Sequence, residues 1–144
     1  MDFPDINVLI HAFRNGSPDN KICRNWLDRI IDERLPLAIS RQTLASLIRI
    51  TTNRRSFKEA SSLDDAIGFC EDILSYAHCE VIEPGRGHWQ IFSDLLKQTN
   101  TTGPTVTDAW LAALAMEWNC EFITMDRDFA RFPGLRWRRP AHQP

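Results

Sequence analysis

Short apolar runs alternate with longer segments of helical period along this chain, and that alternation points to βαβ units, a parallel sheet covered by helices on both faces. Met1–Asp5 reads as a strand, with Pro4 tolerable near its edge. Ile6, Val8, Leu9, Ile10, Ala12 and Phe13 follow through a tight strand-to-helix passage until Asn15-Gly16 stops them. Ser17-Pro18 predicts an N-cap with proline at the first helical position, ahead of Ile22, Trp26 and Ile30 on one helical face. Leu35–Ser40 predicts a second buried strand. Leu44, Leu47, Ile48 and Ile50 then take helical spacing until Thr51-Thr52-Asn53. Ser61 or Ser62 caps a helix carrying Ala66, Ile67, Cys70, Ile73 and Leu74, and Cys79–Ile82 is a brief strand closed by Glu83-Pro84-Gly85. Helices are predicted from about His88 to Leu96 and from about Val106 to Trp118, a strand over Glu121–Met125, and a last short strand at Leu135-Arg136-Trp137.

The expected architecture is therefore a three-layer α/β/α sandwich with a central, mostly parallel sheet. At 144 residues and 43% hydrophobic content, residues 1–144 are expected to form one domain. A net charge of -2 excludes the pervasive basic field of a protein that coats nucleic acid, so any such contact must be local. Cys23, Cys70, Cys79 and Cys120 form no CxxC pair, and the chain opens without a cationic, apolar leader. They read as reduced, mostly buried thiols of a cytoplasmic protein. No apolar run approaches the roughly 20 residues of a membrane span.

In such a sheet the chemistry gathers at the carboxyl ends of the strands. Three acids fall beside a strand end or a helix start: Asp5, Asp108 and Asp126, with Asp128 close to the last. Each has a local explanation. Asp108 in a first helical turn meets the helix dipole, Asp126-Arg127-Asp128 suits a turn with an N-cap, and Asp5-Ile6-Asn7 suits an Asx-type turn. Their joint placement is what no local account predicts. Carboxylates gathered in a poorly solvated cleft repel one another, and a hard divalent ion such as Mg²⁺ or Mn²⁺ relieves the repulsion.

Three segments then become specific together: Pro4-Asp5-Ile6-Asn7-Val8-Leu9-Ile10, Thr107-Asp108-Ala109-Trp110-Leu111-Ala112-Ala113-Leu114-Ala115, and the run from Thr124-Met125-Asp126-Arg127-Asp128-Phe129 through Leu135. In this order they resemble a VapC-type PIN domain, and Leu47-Ile48-Arg49-Ile50-Thr51-Thr52-Asn53 resembles the FLR-aTN run of one branch of these toxins. The resemblance implies a metal-dependent RNA endonuclease acting as the toxin of a toxin–antitoxin pair. Mg²⁺ or Mn²⁺ would activate water against RNA phosphodiesters, a VapB-like antitoxin would occlude the cleft, and the toxin would form a homodimer to which Trp89 or Phe92 contributes. It makes Asp5, Asp108 and Asp126 the catalytic and metal-binding acids, with Asp128 an auxiliary metal ligand. Asn7 would orient Asp5 or a bound water, and Thr124 would support the cluster through its hydroxyl. The chain departs from the family where many members place a glutamate: Thr43–Arg49 contains no acid and puts Ser46 or a neighbour there. That lowers the charge of the site and favours a one-metal or substrate-assisted arrangement.

An acidic floor needs cations at its rim to hold phosphates. Arg49, Arg54, Arg55 and Lys58 form one candidate cluster, and Arg127, Arg131, Arg136, Arg138 and Arg139 another. Arg49 is singled out because it lies on the helix next to the expected cleft. Trp89, Trp110 and Trp118 suit helix packing or an interface, and His11, His78, His88 and His142 show no metal-ligand spacing. A receiver-like signalling domain would need adjacent early acids, an aspartate ending the strand Leu35–Ser40 and a late lysine, and the chain has no Lys beyond Lys97. A catalytically weakened PIN-like protein, acting by binding its partner and nucleic acid, draws on the missing glutamate.

Overall fold

The computed structural model describes residues 1–141; His142 lies outside the described residues. Five short strands form one sheet in the order β3-β2-β1-β4-β5, and every pairing is parallel. The strands are β1 Asp2–Pro4, β2 Leu37–Ile39, β3 Cys79–Val81, β4 Glu121–Ile123 and β5 Trp137–Arg138. The helices are α1 Ile6–Phe13, α2 Asn20–Asp32, α3 Arg41–Thr51, α4 Leu63–Ser75, α5 His88–Thr99 and α6 Val106–Glu117. Two 3-10 turns, Gly103–Thr105 and Arg127–Arg131, precede α6 and follow β4.

Side chains alternate across a strand, so a sheet buried on both faces divides each strand between two cores. Leu37, Ile39 and Ile123 join the core beneath α1 to α4, packed on Val8, Leu9, Trp26, Leu27, Leu47 and Ile73. Phe3, Ala38 and Phe122 join the opposite core with Phe92 and Leu95 of α5, Phe129, and the alanines of α6. Ala109, Ala112, Ala113 and Ala115 are fully buried, which lets α6 approach the sheet closely over the Phe3–Phe122 pair. Helices on both faces of one parallel sheet are the three layers expected.

The strands are shorter than the sequence suggests. Asp5, Ser40 and Thr124 continue the extended runs in sequence, yet β1 ends at Pro4, β2 at Ile39 and β4 at Ile123. Asp5 and Ser40 instead occupy the N-cap positions of α1 and α3 with extended backbone. The last strand lies at Trp137–Arg138 rather than at 135–137. Pro4 closes a central strand rather than an edge one; its missing N–H falls where β1 and β2 register only at Asp2↔Leu37. At the start of α2 the expected Ser17 cap is replaced by Asp19. The Ser17 hydroxyl is engaged by Nδ1 of His11 and leaves the helix start. Ser62 does cap α4, accepting from the Asp65 N–H at 3.1 Å. Among the described residues no helix is long and apolar enough to cross a membrane, and all four cysteines are free, with Cys79 the least buried.

Candidate active site

The carboxyl ends of β1 and β4 turn directly into the segments that carry the acids. Asp5 leaves β1 through its N–H, which donates to the Ile123 carbonyl of β4 at 2.8 Å. Its side chain is 3% exposed, and Oδ2 accepts from the Thr124 hydroxyl at 2.8 Å. That same hydroxyl oxygen accepts the Asp126 N–H at 3.0 Å, and Asp126 Oδ1 accepts the Asp128 N–H at 2.8 Å. Thr124 is thus the joint that sets Asp126 beside Asp5. Asp126 is also the N-cap of the 3-10 turn, so its local role and its place at the cleft coexist.

Asp108 arrives from the first turn of α6, where Oδ2 accepts from the Arg131 guanidinium at 3.3 Å. Arg131 also donates to the Asp128 carbonyl at 3.0 Å and lies over the Phe132 ring. Asp5, Asp108 and Asp126 line one cleft of about 210 Å³ together with Asn7, Gln42, Thr43, Ser46, Arg49, Thr107 and Trp110. Burial lifts the Asp5 carboxyl from 3.8 to about 6; the Thr124 hydroxyl and the Ile6 N–H oppose the rise, and the charges of Asp108 and Asp126 add to it. The Asp108 carboxyl is raised as well, again first by burial, against the lowering contact with Arg131.

A PIN domain model matches residues 3–135. Ribonuclease VapC43 of Mycobacterium tuberculosis is 38% identical over 136 residues, covering 94% of this chain and 92% of that protein. Ribonuclease VapC25 of the same organism is 36% identical over 136 residues, 94% of this chain and 96% of its own length. The chain belongs to the VapC branch of the PIN-domain family. The crystal structure of VapBC2 from Rickettsia felis bound to a DNA fragment from their promoter shares its fold, with a TM-score of 0.70 at 18% identity over 96% of this chain and 97% of that one.

In this VapC protein the acids of the PIN cleft come from one side only. The wall built by α3 carries Gln42, Thr43, Ser46 and Arg49 and no carboxylate. Asp128 is exposed and does not line the cleft, although its charge reaches Asp108. Asn7 lines the cleft without a side-chain hydrogen bond to Asp5 among the described residues. As donors the three aspartates suit a hard divalent cation, and the burial of Asp5 among like charges leaves negative charge uncompensated. As placed, no group of three acidic, histidine or cysteine side chains among the described residues stands ready to hold an ion. Asp108 is instead paired with Arg131 at 3.3 Å.

The second basic cluster does not form at this cleft. Arg138 pairs with Asp2 and Glu121, and Arg136 donates to Asn119, all at the amino-terminal end of the sheet. Arg131 serves Asp108 rather than an open rim. Trp110 joins the core beside Phe92 while one edge lines the cleft, and His88 is buried against both rings with Nε2 at 3.0 Å from the Trp110 carbonyl. Trp89 is 67% exposed, whereas Phe92 is buried and has no face to offer an interface. Thr43 and Gln42 were legible in principle: once Ser46 and Arg49 face the cleft, residues one helical turn earlier share that face.

Proposed function

We propose that this VapC protein is an endoribonuclease, the toxin of a toxin–antitoxin pair, and that Asp5, Asp108 and Asp126 hold a single Mg²⁺ or Mn²⁺ ion. The observation that carries this is the convergence of acids from three distant parts of the chain on one cleft, with Asp5 almost fully buried among like charges. A bound ion of this kind supplies Lewis-acid polarisation of the phosphate and a water of lowered pKa. The chain's own groups do the rest. Thr124 fixes the orientation of Asp5 and the backbone entry to Asp126. Asp128 adds charge from outside the cleft, and Asn7 and Ser46 offer neutral polar groups at its wall. Arg49, exposed on the cleft wall, meets a backbone phosphate.

The partner in this reading is a VapB-like antitoxin that covers the cleft in the cytoplasm, and the toxin associates as a homodimer through a face that includes Trp89. The lack of an acid on α3 favours a second reading, a PIN-like binder without cleavage. Incubating the isolated chain with a mixed RNA pool separates the two. Cleavage that requires Mg²⁺ or Mn²⁺, is abolished by EDTA and is lost in Asp126→Asn supports the endonuclease. An intact pool under all metal conditions refutes it.

A further inference from the structure

The acidic cleft has a wall whose chemistry the three aspartates do not explain. Thr43 sits in the first turn of α3, lines the cleft and is 3% exposed, yet its hydroxyl has no hydrogen-bond partner. Helical threonines elsewhere in this protein satisfy theirs on the carbonyl one turn back: Thr51 on Leu47 at 2.8 Å, Thr52 on Ile48 at 2.6 Å and Thr99 on Leu95 at 2.7 Å. For Thr43 that carbonyl belongs to Ile39, the last residue of β2, and it already accepts the Ile82 N–H at 2.9 Å. Ser40, the N-cap of α3, makes no side-chain cap bond, so the first-turn N–H groups are not capped by it either. A buried hydroxyl without a partner is unfavourable, and its retention at a cleft calls for an acceptor that arrives from outside.

The charge pattern identifies that acceptor. Across the cleft stand three carboxylates; on α3 stand an uncapped helix start with its partial positive charge, a free hydroxyl and Arg49. We propose that the first turn of α3 is the phosphate-holding wall of the cleft, with the Thr43 hydroxyl donating to a non-bridging oxygen of the RNA backbone. This rests on the endoribonuclease reading and assigns α3 the task of positioning substrate where an acidic wall would repel it.

The test compares wild type, Thr43→Val and Thr43→Ser in the full chain. Binding of a fluorescein-labelled random-sequence RNA is measured by anisotropy in Ca²⁺, cleavage as kcat/KM in Mg²⁺, and stability as Tm. Thr43→Val is expected to weaken RNA binding about tenfold and to lower kcat/KM about ten- to a hundredfold, with a Tm equal to wild type or higher, because it removes an unsatisfied donor. Thr43→Ser is expected to restore both functional readouts to within about threefold of wild type. A valine variant that binds and cleaves like wild type, or a serine variant as impaired as valine, overturns the proposal. A wild-type chain that binds RNA without cutting it removes the endonuclease reading instead, and the binding comparison alone then decides the role of Thr43.

Discussion

Asp2 opens the central strand β1 and Asp5 follows its last residue, and the chain treats their carboxylates in opposite ways. Asp2 Oδ2 accepts from Trp26 Nε1 at 3.0 Å and from Arg138 at 2.6 Å, and Arg138 continues to Glu121 at 3.1 Å. Every charge there is answered. Asp5 has one neutral side-chain donor, Thr124, and faces two further carboxylates from a nearly buried position. The first arrangement ties β1, α2, β4 and β5 together; the second leaves a carboxylate whose ionised form is disfavoured by burial and by its neighbours. Identical residue types three positions apart thus differ by what surrounds them, one held in an ion-pair network and the other proposed to hold a metal ion.

The largest expected difference between the two ends is in activity. Asp5→Asn should lower metal-dependent RNA cleavage by about a thousandfold or more, while Asp2→Asn keeps it within about threefold, measured as kcat/KM on the same RNA. Equal losses in both variants would erase the distinction. Stability should move the other way. Asp2→Asn breaks a partly buried charged network and should cost about 1–3 kcal/mol in urea unfolding. Asp5→Asn keeps an oxygen for Thr124 and has no side-chain cap bond to lose. It should stabilise the metal-free protein near neutral pH by roughly 2–3 kcal/mol, the linkage value of a carboxyl lifted by about two units.

The pH dependence carries the same sign. The folded Asp5 carboxyl keeps its proton up to about 6, whereas the unfolded one releases it near 3.8. Its contribution to stability is therefore fully present below 3.8 and is lost as pH rises through about 6. Unfolding free energies of wild type minus Asp5→Asn should decline across that window without metal, and a difference that rises with pH would contradict the assigned cause. The smallest expected effect belongs to Arg131, which shares Asp108 at a partly exposed site. Arg131→Gln should tighten Mn²⁺ binding about two- to fivefold, the worth of one such ion pair.

Much of this was legible in the chain. The unbroken apolar runs Leu37-Ala38-Ile39 and Phe122-Ile123, set between helical segments, already imply a sheet buried on both faces, and the ordered segments around Asp5, Asp108 and Asp126 imply a common edge. The strand ends were not legible, because Asp5, Ser40 and Thr124 prolong the extended pattern while serving helix starts and the acid cluster. The pairing of Arg131 with Asp108 was hidden for a different reason: it joins a 3-10 turn to a helix through the fold alone, and no local spacing encodes it. The arginines after β4 looked like one cluster, yet Arg136 donates to Asn119, and Arg138, although its backbone pairs with Ile123 beside the acids, turns its guanidinium back to Asp2 and Glu121. Thr43 lay within a stretch noted for its missing acid, and only burial reveals that its hydroxyl is unpaired.

A Mn²⁺ titration followed by electron paramagnetic resonance, run on wild type, Asp2→Asn and Asp5→Asn, bears most directly on the central assignment. One bound ion in wild type and in Asp2→Asn, with none in Asp5→Asn, is the expected result. Undiminished Mn²⁺ binding by Asp5→Asn would show that the buried aspartate at the head of α1 is not where the ion sits.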